Sequence, residues 1–203
     1  DLENHGYCFR GSSDTEVVLF SLMHWGRDAI KKFIGMYSIA FFDLEKREFL
    51  LVRDPYGIKP LYWMKWQFGL VFASEIPALL ALPEVNLTAS LEEVHNYLCY
   101  SYTDRTGRTM FKEINHVPAN SIFCFDLDDL EIISVNQCVN TNVDTINISE
   151  TEASDKLREL FLESVSLHLR SDVPVGVALS GGIDSTSILG AAKFLGKSDQ
   201  LQA

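Results

Sequence analysis

The sequence has few basic residues, no paired cysteine motif and no long apolar run. Lys and Arg number 17 against 28 Asp and Glu, a formal net charge of −11, whereas a nucleic-acid partner requires a basic face. The four cysteines and five histidines lack the spacing of a zinc site or a disulfide framework. No apolar stretch reaches the roughly 20 residues of a membrane-spanning helix, and no signal peptide is visible. We expect a cytoplasmic protein with reduced thiols and neither a nucleic-acid nor a membrane partner.

The patterning favours two domains joined by a polar linker. Hydrophobic residues make up 47% of the 203 positions, enough for a substantial core. Up to residue 139, short apolar runs alternate with turns, which predicts a β-rich domain carrying a few helices. Residues 140–148 are rich in Asn and Thr without an apolar period and form the predicted linker. A long amphipathic helix then leads to a buried parallel strand over Val173–Leu179 and a second helix.

Three Ser-x-x-Glu patterns predict helix starts through capping boxes, in which the two side chains satisfy N–H groups of the first turn. They begin at Ser13, Ser90 and Ser149. The first of these helices is expected to reach about Phe33, with a break at Gly26.

The junction after the predicted parallel strand carries the most specific motif of the chain. Residues 179–185 read Leu-Ser-Gly-Gly-Ile-Asp-Ser, and the absence of Gly-Lys-Ser/Thr excludes the lysine-bearing P-loop. Glycine lets the backbone approach an anion, N–H groups of a new helix point at it, and a carboxylate can hold the Mg²⁺ that accompanies ATP. A Gly-Gly turn closed by a helix cap is the alternative. The complete string between strand and helix favours nucleotide binding, and it resembles the pyrophosphate-binding motif of the ATP pyrophosphatase (PP-loop) superfamily.

Four strings earlier in the chain form a second set of motifs. They are Gly6-Tyr7-x-Phe9, Ser13–Glu16, Gly35–Ala40 and the loop Arg53–Tyr62, in which Arg53 and Asp54 are expected to pair locally. Together these strings look like the class II glutamine amidotransferase domain, an N-terminal-nucleophile fold. Such a glutaminase followed by Ser-Gly-Gly-x-Asp-Ser resembles the glutamine-hydrolysing asparagine synthetase family over nearly the whole chain. The resemblance implies a partial α+β glutaminase sandwich over residues 1–139. It also implies that residues 149–203 begin an α/β adenine nucleotide alpha hydrolase-like (PP-loop) domain.

The same resemblance implies a carbon–nitrogen ligase that takes ammonia from glutamine and amidates aspartate through aspartyl-AMP. Asp14 matches the family's aspartate for the α-amine of glutamine, a carboxylate facing an ammonium. Asp184 would bind Mg²⁺, and Leu179 would pack near the ATP through its backbone. The residues implied to hold the pyrophosphate are Ser180, Gly181, Gly182 and Ser185. A homodimer of the full-length parent is compatible with the resemblance.

Part of the family's equipment is expected to lie outside these 203 residues. The nucleophilic N-terminal cysteine is absent, and Cys8 does not replace it because it is not N-terminal and lies on a predicted strand. We expect the oxyanion Asn-Gly upstream of Asp1 and the acceptor-binding residues downstream of Ala203, with a truncated second domain. No catalytic residue is therefore assigned. Asn120 stands where the family usually has glycine, which predicts a strained or rearranged turn, since asparagine tolerates positive φ better than most residues.

Three other functions compete with asparagine synthesis. A relative of the same architecture could amidate another carboxylate, and an ATP-binding pseudo-enzyme would also lack the cysteine. A purine-pathway amidotransferase has a similar Arg-Asp-Pro-x-Gly loop. It is disfavoured because those proteins continue with a phosphoribosyl-binding domain instead of Ser-Gly-Gly-x-Asp-Ser.

The 203-residue chain by itself is predicted neither to hydrolyse glutamine nor to make asparagine, because it has neither the nucleophile nor the acceptor site. Ammonia release from glutamine and asparagine formation with ATP and aspartate would measure both activities. Glutamine-dependent asparagine formation by this chain alone would contradict the prediction.

Overall fold

The computed structural model describes residues 1–67, 69–103, 105–140, 144–197 and 201–202. It divides into two compact units, residues 1–141 and 142–203. This division falls within residues 140–148, the predicted linker, of which 141–143 lie outside the described residues. Among the described helices, none is long and apolar enough to cross a membrane.

The first unit is built on two antiparallel sheets. The larger sheet has the strand order β1 (Ser38–Asp43), β2 (Glu48–Arg53), β6 (Ser121–Asp126), β7 (Ile132–Gln137). The smaller sheet has the order β4 (Gly69–Ala73), β3 (Tyr62–Trp66), β5 (Asn115–His116). The helices of this unit are α1 (Asp14–Trp25), α2 (Ile76–Leu80) and α3 (Leu91–Tyr100).

Alternation along β2 explains how the sheets stack, because successive side chains of a strand point to opposite faces. Leu50 belongs to a buried cluster with Leu22 of α1. The next residue, Leu51, belongs to a second buried cluster with Trp63 of β3. The opposite face of the smaller sheet packs against α2. The result is a four-layer α–β–β–α arrangement, which confirms the expected α+β sandwich.

The second unit contains α4 (Glu150–His168), β8 (Val175–Gly176), α5 (Ile183–Phe194) and β9 (Leu201–Gln202). Strands β8 and β9 are parallel, as predicted for this part of the chain. The expected buried strand over Val173–Leu179 is wrong in extent, since only two of its residues are in a strand, and Val173 and Leu179 are 69% and 46% exposed. Within the described residues β8 pairs with a single neighbouring strand, so most of the run has no sheet to bury it.

The three predicted capping boxes have different outcomes. At Ser149 both side-chain bonds form, so this prediction is confirmed. At Ser90 no side-chain cap bond forms, although α3 does begin at the next residue. At Ser13 the hydroxyl accepts from Thr15 N, while the Glu16 carboxylate accepts from the N–H groups of residues 10 and 11. Glu16 thus closes the preceding turn instead of completing a capping box.

Two further expectations concern the N-terminal part. The break at Gly26 is confirmed, because α1 ends at Trp25 and a 3₁₀ helix over Gly26–Lys32 continues the chain. The expectation that Cys8 lies on a strand is wrong, since this exposed residue is in irregular backbone after a short 3₁₀ helix.

Asn120 closes the corner that precedes β6. Its φ is 58°, in the left-handed region that asparagine tolerates better than most residues. Its side-chain amide donates to the Val139 carbonyl at 3.0 Å, and its side-chain oxygen accepts from Val139 N at 2.9 Å. The asparagine therefore ties the start of β6 to the segment that follows β7, a role glycine could not fill.

Asn120→Gly is predicted to lower the free energy of unfolding by about 1–2 kcal/mol through the lost side-chain bonds. Asn120→Ala should lower the free energy of unfolding by about 1 kcal/mol more, because the left-handed backbone is unfavourable for alanine. Urea unfolding followed by tryptophan fluorescence reports on this unit, since Trp25, Trp63 and Trp66 all lie in it. Asn136→Ala, on exposed β7, is the control with little expected effect; equal stability of both Asn120 variants would refute the backbone contribution.

Candidate functional site

A cleft of about 520 Å³ lies between the start of α1 and the start of β1. Asp14, the residue predicted to bind the glutamine α-amine, is exposed and lines it at the first position of the helix. Most of the remaining wall is apolar, including Val18, Leu22 and Ile39. Lys59, distant from Asp14 in sequence, lines the same cleft. The cleft thus combines an apolar surface with one carboxylate and one ammonium group.

The loop after β2 is organised by the buried carboxylate of Asp54. This side chain has no exposed surface, and its oxygens accept from the N–H groups of Tyr56, Ile58 and Lys59 at 2.9–3.0 Å. Its backbone N–H also donates to the Tyr37 carbonyl at 2.9 Å. A buried carboxylate is stable in this position because it is surrounded by donors. Asp54 therefore fixes the turn that brings Lys59 to the cleft.

The Arg53 guanidinium secures the same loop from the other side. It donates to the carbonyl oxygens of Gly57, Lys59 and Val117 at 2.6–2.9 Å, and it also contacts the His116 ring. Gly57 has a φ of 63°, and a Cβ there would lie 3.1 Å from the guanidinium carbon. The local pairing of Arg53 with Asp54 stays a prediction, and the bonds described above show that both side chains hold loop backbone.

The floor of the cleft carries a buried phenol. Tyr37 lines the cleft, and its hydroxyl is buried beside the Cys138 thiol. Burial raises the pKa of the Tyr37 phenol well above its usual range and the pKa of the Cys138 thiol to about 11. Both groups are therefore neutral at pH 7, and the floor contributes no charge.

In the second unit, residues 179–182 form an exposed turn that leads directly into α5. Gly181 has a φ of 79°, and no atom lies within 4 Å of where its Cβ would stand, so the backbone can be approached closely. Gly182 is the N-cap of α5 and has no side chain to cover the N–H groups of the first helical turn. The predicted turn between strand and helix is therefore present, with helix N–H groups at its end.

The side chains of this turn are arranged around its backbone. The Ser180 and Ser185 hydroxyls lie 3.3 Å apart, and Ser185 also donates to the Gly182 carbonyl at 3.2 Å. Asp184, in the first turn of α5, is exposed. No group of three His, Cys, Asp or Glu residues that could hold a metal occurs in the part of the chain that the structure describes. One carboxylate such as that of Asp184 is enough to bind the Mg²⁺ of a nucleotide, because waters and phosphate oxygens are the other ligands of this ion.

Comparison with known families assigns both halves of the chain. Residues 1–135 match the model of the glutamine amidotransferase domain, and residues 156–202 match the model of asparagine synthase. The chain belongs to the glutamine amidotransferase family. This match confirms the N-terminal-nucleophile-type glutaminase fold expected for the first unit, followed by the beginning of an asparagine synthase domain.

Individual relatives agree with this assignment. Asparagine synthetase [glutamine-hydrolyzing] 1 of Bacillus subtilis is 32% identical over 193 residues, covering 95% of this chain and 30% of that protein. Amidase chry2 of Gibberella zeae is also 32% identical over 193 residues, covering 92% of this chain and 27% of that protein. This amidotransferase chain thus spans about 30% of the length of these relatives. The solved glutamine phosphoribosylpyrophosphate amidotransferase of B. subtilis covers 96% of this chain and 40% of its own, at 17% identity and a TM-score of 0.45.

Sequence reasoning located Asp14 and the loop residues but missed Lys59 and Tyr37 as cleft residues. Both stand in strings that resemble the family, Gly35–Ala40 and Arg53–Tyr62, yet those strings show no local functional pattern. Their place in the cleft depends on how β1 and the loop after β2 fold together.

Gly57→Ala is predicted to destabilise the amidotransferase domain more than Gly6→Ala. Both glycines have positive φ, 63° and 87°, but only Gly57 has neighbours close to the added Cβ: Ala119 at 3.0 Å and Arg53 at 3.1 Å. Gly6→Ala should cost about 1–2 kcal/mol for the backbone, and Gly57→Ala about 1–3 kcal/mol more for overpacking. Urea unfolding of both variants checks this, and equal losses would mean that the loop yields without cost.

Proposed function

We propose that this chain belongs to a glutamine-hydrolysing asparagine synthetase, in which it provides part of the glutamine site and the pyrophosphate-binding loop. The proposal is supported by one combination: an amidotransferase domain whose cleft presents Asp14, followed by Ser180–Ser185 in a segment that matches asparagine synthase. Relatives named asparagine synthetase match nearly the whole chain. The proposal also takes glutamine, aspartate and ATP as the substrates of this synthetase and the cytoplasm as its location.

Asp14 binds the α-ammonium group of glutamine in this proposal. Its carboxylate is exposed at the mouth of the cleft, and an ammonium group offers it charge-assisted hydrogen bonds. The apolar wall of the cleft then contacts the methylene groups of the substrate. Asp14 positions glutamine and takes no part in bond cleavage.

The turn at Ser180–Ser185 holds the pyrophosphate of ATP. Its two hydroxyls bond each other at 3.3 Å and can turn to donate to phosphate oxygens. Helix N–H groups at the start of α5 add donors. Asp184 would contribute one ligand to Mg²⁺, which supplies positive charge that neutralises the phosphates.

Once hydrolysis of glutamine to glutamate has supplied ammonia, the amidation of aspartate takes two steps. The side-chain carboxylate of aspartate attacks the α-phosphorus of ATP, the bond to the β-phosphate breaks, and aspartyl-AMP and pyrophosphate form. Ammonia from glutamine then attacks the acyl carbon, and AMP leaves as asparagine forms. The chain's own residues serve the first step by holding the leaving pyrophosphate in place.

Amidation of another carboxylate is the second candidate. It is favoured by the relative named amidase chry2, which is as similar to this chain as the first asparagine synthetase, at 32% identity each. The same adenylation chemistry would apply, so the residues of this chain have the same roles in both cases. An ATP-binding pseudo-enzyme would instead retain the loop and show no amide transfer.

Asp184→Asn and Ser185→Ala are predicted to weaken Mg²⁺–ATP binding at least about tenfold, because each removes a contact to the metal or the pyrophosphate. Titration of the chain with ATP in the presence of Mg²⁺ measures the effect, with Asp172→Asn, an exposed aspartate before the loop, as the matched control. Unchanged ATP affinity in both variants would contradict the assignment of the loop. In the protein that contains this chain, aspartate-dependent ATP–pyrophosphate exchange separates asparagine synthesis from amidation of another carboxylate.

A further inference from the structure

Two histidine rings meet on the surface of the first unit. His5 ends a 3₁₀ helix over Leu2–His5, and His24 lies in the last turn of α1. Both residues are exposed, and their ring centroids are 4.4 Å apart with an interplanar angle of 57°. Neither lines the cleft that contains Asp14, so the pair is separate from the proposed glutamine site. Two imidazoles brought together by the fold are a candidate metal site.

A hydrogen bond determines which nitrogen His5 offers to a ligand. Its Nδ1 lies 3.0 Å from the Asp1 carbonyl oxygen, which can only accept, so Nδ1 carries the hydrogen. The other nitrogen, Nε2, makes no hydrogen bond to any described residue. A histidine that binds a metal usually donates its other ring N–H to such a carbonyl, which fixes the tautomer and the ring orientation. His5 therefore already has the partner that a metal-binding histidine requires.

The His24 ring is positioned by aromatic neighbours. It stands edge-on to the rings of Trp25 and Tyr7, at centroid distances of 4.9 and 5.6 Å. Its Nδ1 faces the Tyr7 hydroxyl at 3.5 Å, and its Nε2 has no hydrogen-bond partner in the ranges that the structure describes. Each of the two histidines thus has its Nε2 left for a ligand, on a ring whose movement is limited by its neighbours.

The distance between the rings fits two ligands of one ion. An imidazole nitrogen binds a divalent transition metal at about 2.0–2.1 Å, and two rings bound at a right angle then have centroids about 4.5 Å apart. The observed distance is 4.4 Å. Right angles between ligands occur in square-planar and octahedral complexes, which are typical of Cu²⁺ and Ni²⁺, whereas structural Zn²⁺ sites are tetrahedral.

We propose that His5 and His24 bind one divalent transition-metal ion of the Ni²⁺ or Cu²⁺ type through their Nε2 atoms. Within the described residues they do not belong to a group of three or more His, Cys, Asp and Glu, so water molecules supply the other ligands. The ion connects the segment before α1 to the end of that helix. Because this arrangement exists only in the folded chain, the ion stabilises the first unit by mass action.

The test is a Ni²⁺ titration of the 203-residue chain, prepared without a polyhistidine tag. Ni²⁺ is the probe because Cu²⁺ would also oxidise exposed thiols. The Trp25 ring lies 4.9 Å from that of His24 and 6.0 Å from that of His5, so bound Ni²⁺ should quench its fluorescence. His5→Gln and His24→Gln should each weaken Ni²⁺ binding at least about tenfold, the smallest loss typical of disturbing even the outer partners of a metal ligand.

Stability provides a second readout that does not depend on quenching. Ni²⁺ should raise the urea midpoint of the wild-type chain, measured by circular dichroism, and should leave the midpoints of both variants unchanged. The same spectra without Ni²⁺ establish that each variant is folded like the wild type.

Two matched controls address binding elsewhere. The His95 Nε2 lies 3.4 Å from the Cys99 Sγ, so these exposed side chains offer Ni²⁺ another pair of ligands. His95→Gln should nevertheless leave the quenching of Trp25 unchanged. His168→Gln, which removes an exposed histidine of the second unit, should also have no effect.

The remaining outcomes would overturn the proposal. Absence of saturable quenching of the wild type by millimolar Ni²⁺ would mean that the pair holds no ion. Weaker binding in only one of the two variants would indicate a contact with a single imidazole. Unchanged binding in both would place the ion elsewhere. None of these results depends on glutamine or ATP, so they leave the proposed function unaffected.

Discussion

The buried carboxylate of Asp54 joins three segments of the amidotransferase domain that are far apart in sequence. Its side-chain oxygens accept three N–H groups of the loop over residues 56–59. Its backbone N–H donates to Tyr37, and its carbonyl accepts from Asn120 N at 2.9 Å. Burying a carboxylate without hydrogen-bond donors would cost free energy, so the fold requires each of these donors. The folded backbone in turn brings the donors to the carboxylate. The start of β1, the loop after β2 and the start of β6 therefore have one shared anchor.

This anchor explains two residue choices that composition alone leaves unexplained. The loop must return sharply enough for the Arg53 guanidinium to reach the carbonyls of residues 57 and 59, and only glycine fits at Gly57 without displacing that guanidinium. At the corner before β6, a left-handed residue must also bond Val139, which favours asparagine over glycine. Gly57 and Asn120 both hold the backbone in place, and Lys59 takes its position from that backbone.

The sequence predicted most of the elements whose signals are local. The break at Gly26 and the capping box at Ser149 follow from patterns within a few residues of each other. The predictions that were wrong depended on residues elsewhere in the fold. Glu16 accepts from N–H groups of the preceding turn instead of completing a capping box. The run Val173–Leu179 is mostly exposed because β8 has one paired neighbour within the described part of the chain. Periodicity reports how apolar a segment is, but burial also depends on what covers it.

The two candidate binding sites differ in the same way. The loop over residues 179–185 is made of consecutive residues, and its geometry needs only the positive φ of Gly181 and the start of α5. A motif of this kind can be found from sequence because the residues that form the site are consecutive in the chain. The cleft instead combines Asp14, Tyr37 and Lys59 from three segments, and the anchor at Asp54 holds the backbone of Tyr37 and Lys59 in place. Substitutions that loosen this anchor should therefore disturb the cleft before they affect the loop over residues 179–185, although Asp54 itself does not line the cleft.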